Sequence, residues 1–167
     1  FQLKKLKNLL NSRFFIDVII IIIMNKIIIG SREWCSLPDL GIELIKAKVD
    51  SGAKTTALHA DNLTKFIKND ENWVRFSLHP LKSRPDLIVQ CEAKLVEKRI
   101  IKSSNGNKEE RFVIETKLVL GNSSYPIEIT LTNRKLMGFH MLLGRQAMSN
   151  KVLIDCEFRY LLGKPSL

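Results

Sequence analysis

Asp50-Ser51-Gly52-Ala53 is the stretch of this chain whose residue types and order can do chemistry. A carboxylate on a tight turn works as a general acid or base when a second carboxylate shares its proton. Gly52 lets the backbone turn sharply and approach a neighbour closely. Ser51 can hold the turn through a local hydrogen bond. The same three residues also read as an ordinary turn cap. What precedes them favours the chemical reading. Ile45-Lys46-Ala47-Lys48-Val49 alternates apolar and basic residues, the pattern of a strand with one buried face. Asp50 then projects from a strand end. The chain holds no second Asp-[Ser/Thr]-Gly, so any dyad has to be assembled from two chains.

The elements that must position this turn read mostly as strands. Val74, Phe76 and Leu78 form one alternating row, and Leu87, Val89, Cys91, Ala93 and Leu95 another. Phe112 to Leu120 and Ile127 to Leu131 repeat the pattern. Turn chemistry separates them: His79-Pro80, Arg84-Pro85-Asp86, Ser103-Ser104-Asn105-Gly106 and Gly121-Asn122. The last two predict β-hairpins. Arg145 to Asn150 is the one helix candidate, a short one. The expectation is an all-β domain, a small closed barrel with one short C-terminal helix.

Composition bounds the rest. The chain has 167 residues, 45% apolar, with a net charge of +10. That suits one domain with a real core. The basic residues are scattered and not interleaved with aromatics, so nucleic-acid binding is not expected. Cys35, Cys91 and Cys156 are odd in number and far apart. They make neither a disulfide framework nor a zinc-ligand spacing, and a reducing cytoplasm is the simplest compartment. Residues 1–23 lack the strand pattern of the rest. They are read as an over-extended leader, with residues 24–167 as the domain. The rival reading is a signal or membrane anchor. The apolar stretch from Phe14 to Ile23 contains Asp17 and falls short of the roughly 20 residues needed to cross a bilayer. No small-residue cleavage site follows it. No membrane association is expected.

Met141-Leu142-Leu143-Gly144-Arg145, about ninety residues after the Asp50 turn, completes a pairing. Asp-[Ser/Thr]-Gly-Ala early and apolar-apolar-Gly-Arg late resembles the retropepsin-like aspartic proteases. From Ile27 to Leu162 the chain resembles one bacterial branch, the RimK-associated or ATP-dependent zinc proteases. Gly30-Ser31-Arg32-Glu33-Trp34 and Leu37-Pro38-Asp39-Leu40-Gly41-Ile42 match its opening. Lys48 to Ala60 is its signature, and Ile127 to Arg134 leads into Met141 to Met148. Phe112 and His140 stand where proline is expected. His140 is the departure expected to bear on the pocket.

The resemblance implies a retropepsin-like homodimer that hydrolyses peptide bonds, with one catalytic Asp50 from each chain. Ser51, Gly52, Ala53, Thr55, His59, Gly144 and Arg145 then shape the site or bind substrate. For His59 the plain alternative is a hydrogen-bonded structural histidine. For Arg145 the resemblance favours a structural and dimer-interface role. Ser103, Ser104, Asn105 and Gly106 form either an ordinary hairpin tip or a flap over the cleft. No cofactor is expected. There is no HExxH, no close pair of histidines and no GxxxxGK[ST] loop, which argues against zinc and ATP. A metal stays open only because the fold could bring His59 to Asp50. A separate ATP-grasp glutamate ligase as partner would explain the name, and would make the substrate a glutamate-rich or modified peptide suited to a basic surface. Two rivals remain: a non-catalytic peptide-binding partner of such a ligase, and a metal-dependent peptidase.

Overall fold

The computed structural model describes residues 16–17, 26–102 and 106–164. Nearly all of the expected leader, and Ser103, Ser104 and Asn105 of the expected flap, therefore lie outside the described residues. Among the described residues eleven strands, a 3-10 turn (Pro38–Leu40, between the second and third strands) and one short α-helix follow in order. They are β1 (Ile27–Gly30), β2 (Arg32–Leu37), β3 (Ile42–Val49), β4 (Thr56–His59), β5 (Asp61–Lys68) and β6 (Glu71–Leu78). Then come β7 (Val89–Lys102), β8 (Lys108–Leu120), β9 (Ser123–Thr132), β10 (Met141–Leu143), α1 (Arg145–Met148) and β11 (Val152–Asp155).

Six of these close a barrel in the order β2-β3-β10-β4-β9-β8, and Ser36 opposite Val119 joins β8 back to β2. The sheet runs on from β8 through β7 and β6 to β5. The all-β, closed-barrel expectation and its short helix hold. The core is apolar and fully buried, with Ile45, Leu58, Phe76, Ile114, Leu118 and Ile129 among its largest side chains. The strands of both expected hairpins pair antiparallel, the tip of the first lying outside the described residues. Gly121, at φ 56°, turns β8 into β9, a conformation only glycine adopts freely.

The strand that positions the site is the shortest. β10 lies parallel to β3, with Leu143 beside Val49, and antiparallel to β4, with Met141 beside Leu58. It wedges between the strands on either side of the Asp50 turn. That brings two motifs about ninety residues apart into contact.

Glu33 explains the opening motif. It is fully buried, and its carboxylate accepts from the Gly30 N–H (2.7 Å), the Leu161 N–H (3.0 Å) and the Leu162 N–H (3.4 Å). A Cβ on Gly30 would sit 2.6 Å from the Phe158 carbonyl oxygen. The C-terminal segment is thus clamped to the barrel, alongside the parallel β1–β11 pair. Among the described residues no helix is long and apolar enough to cross a membrane.

Candidate functional site

The Asp50 turn is built by backbone bonds. The Asp50 N–H donates to the Leu143 carbonyl (3.0 Å), so the turn starts pinned to β10. Asp50 Oδ1 accepts from the Gly52 N–H (2.9 Å) and the Ala53 N–H (3.1 Å). Charged acceptors make the stronger kind of hydrogen bond, so this oxygen is anchored. Oδ2 makes no hydrogen bond among the described residues. Ser51 and Gly52 are exposed, and Ala53 and Thr55 are half-buried.

The Gly144-Arg145 segment braces the turn from behind. The Arg145 N–H donates to the Ala53 carbonyl (2.9 Å) and the Gln146 N–H to the Lys54 carbonyl (3.0 Å). Arg145 Nη1 donates to the carbonyls of Ser51 (2.7 Å) and Gly52 (2.9 Å). Within one chain, Arg145 therefore holds the turn's backbone. A Cβ on Gly144 would stand 2.5 Å from the Thr55 carbonyl carbon, so glycine is required for this approach. The Gly144 N–H donates to Thr56 Oγ1 (3.2 Å), and Thr130 Oγ1 donates to the Thr56 carbonyl (3.0 Å).

His59 belongs to a different cluster. It is buried, and its Nδ1 accepts from the Arg134 N–H (3.1 Å). That fixes the proton of the neutral ring on Nε2, which faces Asp61 Oδ2 at 3.2 Å. The rings of His59 and His140 lie 4.8 Å apart. His140 Nδ1 bonds the His79 carbonyl (2.6 Å), and His79 Nε2 lies 3.9 Å from Asp61. The chain's three histidines, distant in sequence, thus converge with Asp61 around one cavity of about 370 Å³. His59 lines this cavity rather than joining the Asp50 turn. Burial pushes both His59 and His140 below the usual imidazole range, with the charge of Asp61 opposing it at His59.

These donors do not fit a resident metal. Both nitrogens of His59 are committed to protein partners. Among the described residues no group of three or more His, Cys, Asp or Glu is arranged to hold a metal ion.

Beside the Asp50 turn lies an open cavity of about 410 Å³, lined by Arg32, Lys48, Val49, Arg134, Phe139 and Arg159. It adjoins a second, of about 450 Å³, through Arg32 and Phe139. That one adjoins the histidine cavity through Lys82 and His140. The three cavities form a run of positive charge in which Asp61 is the only acidic lining residue among the described residues. Arg134 is the half-buried cation of the cavity beside the turn. Burial lowers its affinity for its proton, Arg111 adds to that effect, and the charge of Asp50 opposes it. In the sequence Arg134 stands out only as part of the Ile127–Arg134 stretch. Arg32 stands out only within the Gly30–Trp34 motif, and Asp61 and His79 carry no local signal of a site.

A closed β-barrel with an Asp-Ser-Gly turn braced by an apolar-apolar-Gly-Arg strand has the retropepsin-like fold. The chain belongs to the RimB-like family, described as retropepsin-like aspartic endopeptidase RimB, which matches residues 28–165. It is similar to a protein named probable alpha-L-glutamate ligase in Shewanella pealeana, at 51% identity over 140 residues. The match covers 84% of this chain and 31% of that protein. A protein of the same name in Desulfotalea psychrophila is 52% identical over 141 residues, covering 84% of this chain and 30% of that protein. The chain thus spans less than a third of the length of these curated relatives. Among solved structures, Lpg0085 of Legionella pneumophila, of unknown function, matches with a TM-score of 0.68 at 30% identity. That match covers 81% of this chain and 98% of that one.

Proposed function

We propose that this chain hydrolyses peptide bonds as a homodimer, with Asp50 from each of two chains forming the dyad, and that its substrate is a glutamate-rich peptide. The observation that carries the reading is the state of the Asp50 carboxylate. One oxygen is anchored by two backbone N–H groups, while the other has no hydrogen bond among the described residues. That is a rigid, directed acid/base with one working atom.

Two such carboxylates facing each other share one proton, because like charges that close do not both ionise. The ionised member takes a proton from a water lying between them, and the water oxygen attacks the carbonyl carbon. The protonated member gives its proton to the carbonyl oxygen. Collapse of the tetrahedral intermediate breaks the C–N bond: the member that took the water proton passes it to the leaving amine, and a hydroxyl of the diol returns a proton to the other member. Over the pair the protonation states are restored.

The substrate class rests on two supports. The cavities beside the turn are lined by arginine and lysine. The curated relatives carry the name of a glutamate ligase. A hydrolase that trims what a ligase adds, either fused to it or acting beside it, fits both.

The test is hydrolysis of an oligoglutamate-tailed peptide by the chain and by its Asp50→Asn form. Loss of turnover in the variant, and indifference to a chelator, support the reading. Full turnover in Asp50→Asn moves the chemistry elsewhere. A second reading is a non-catalytic peptide-binding unit of a ligase, favoured by the match to one part of longer ligase-named proteins. It predicts glutamate-peptide binding with no cleavage by either form.

A further inference from the structure

Arg134 is a half-buried guanidinium with little to do for the fold. Its Nε donates to the Phe139 carbonyl (3.2 Å), and its terminal nitrogens make no hydrogen bond among the described residues. Arginine is planar and rigid, and it matches a carboxylate with two parallel bonds. Leaving that fork unused in a partly desolvated place is costly unless a ligand fills it.

Several contacts hold the fork in place. Its backbone N–H is taken by His59 Nδ1 (3.1 Å), and its carbonyl accepts from the Met137 N–H (2.8 Å). Arg32 stacks over the Phe139 ring at 5.1 Å, so both arginines lean on one residue. Arg134 and Arg32 line the cavity that reaches Val49, the residue before Asp50. Asp50 is close enough for its charge to act on Arg134.

We infer that Arg134 is the specificity-determining residue of this site, its guanidinium receiving the side-chain carboxylate of an acidic residue next to the scissile bond. His59 is the positioning residue that holds the Arg134 backbone. The inference rests on the acidic-peptide reading of the site, but its test is binding and needs no turnover. A substrate carboxylate seated there replaces solvent on the open face of the guanidinium, and it adds a second opposite charge near Arg111 and Arg32. A neutral glutamine at the same position offers one acceptor and no charge. The site therefore discriminates acidic from neutral peptides through this one fork.

The experiment is a titration of the full chain carrying Asp50→Asn with two probes, tetraglutamate and tetraglutamine, at low and moderate salt. The same titration is run with Arg134→Met, Arg134→Lys or Lys94→Gln added. Lys94 lies on β7, outside the barrel and outside the lining of the three cavities, is paired with Glu71, and controls for net charge. Thermal melting establishes that each variant is folded. The expected result is tetraglutamate binding weakened about tenfold or more by Arg134→Met and less by Arg134→Lys, which keeps the charge and loses the fork. Tetraglutamine binding and the Lys94→Gln form stay unchanged. An unchanged tetraglutamate affinity in a folded Arg134→Met or Arg134→Lys form, an equal loss in Lys94→Gln, or no tetraglutamate binding to the parent overturns the inference. Confirmed discrimination without any cleavage by the unmodified chain would sink the hydrolase reading and leave Arg134 as the residue that selects acidic peptides for binding.

Discussion

The Asp50 turn and the histidine cluster sit at opposite ends of one run of cavities and are built in opposite ways. The turn is made of backbone. Leu143, Arg145 and Gln146 satisfy its carbonyls and N–H groups, and the carboxylate oxygen Oδ2 is left unbonded among the described residues. The cluster is made of side chains. His59 and His140 are buried, and their ring nitrogens are bonded to Asp61, the Arg134 N–H and the His79 carbonyl. The Asp50 carboxylate is held by its neighbours' backbone through one oxygen and left free at the other. A group that supports is itself consumed by its partners.

That contrast can be broken at either end. The largest effect expected is from Asp50→Asn. The amide oxygen can keep the Gly52 and Ala53 bonds, so the melting temperature should barely move while peptide turnover falls at least about a hundredfold. Steady-state kinetics beside thermal melting reads both. His59→Ala should do the reverse. It leaves a cavity and an unbonded Arg134 N–H, and should cost about 2–4 kcal/mol in urea denaturation. A fully stable His59→Ala protein would show that the cluster does not support the fold.

Gly144→Ala sharpens the comparison. Its Cβ would be forced against the Thr55 backbone, which cannot yield as a side chain can. A loss of about 1–3 kcal/mol is expected, with turnover reduced because Asp50 shifts with the turn.

Mild acid should give the smallest effect. His59 and His140 are held below the ordinary imidazole value of 6.5. The unfolded chain therefore binds more protons than the folded one below that value. Stability should be intact above pH 6.5 and fall as pH drops below it. Urea midpoints at pH 7.5 and pH 5.5 test the sign. A higher midpoint at pH 5.5 would mean that Asp61 dominates.

How much of this was legible in the sequence follows from how local each feature is. β3 shows in the alternation of Ile45 to Val49 because one face is buried and the other is not. β4 escapes because Thr56 to His59 are all buried, so four residues show no period. β5 escapes for the opposite reason: nearly all of it is exposed, and it pairs only through β6. The Asp50 motif is readable because a turn is a contiguous object. Its brace is readable as Leu142-Leu143-Gly144-Arg145, although only the register of β10 between β3 and β4 brings the two together. The meeting of His59, His79, His140 and Asp61 depends on the pairing of β4 with β9 and β10, and no short window carries that. Arg134 is hidden in the same way. Its place, half-buried in the cavity that reaches Val49, is a fact of packing and not of spacing.

The central claim is that two chains complete one site. It is tested most directly by the separation of the two Asp50 carboxylates in a crystal structure of the protein in its solution oligomeric state. The account predicts a dimer with the carboxylates about 3 Å apart, close enough to share a proton. A monomer that retains full activity, or a dimer that holds them more than about 6 Å apart, too far for a shared proton, would contradict it.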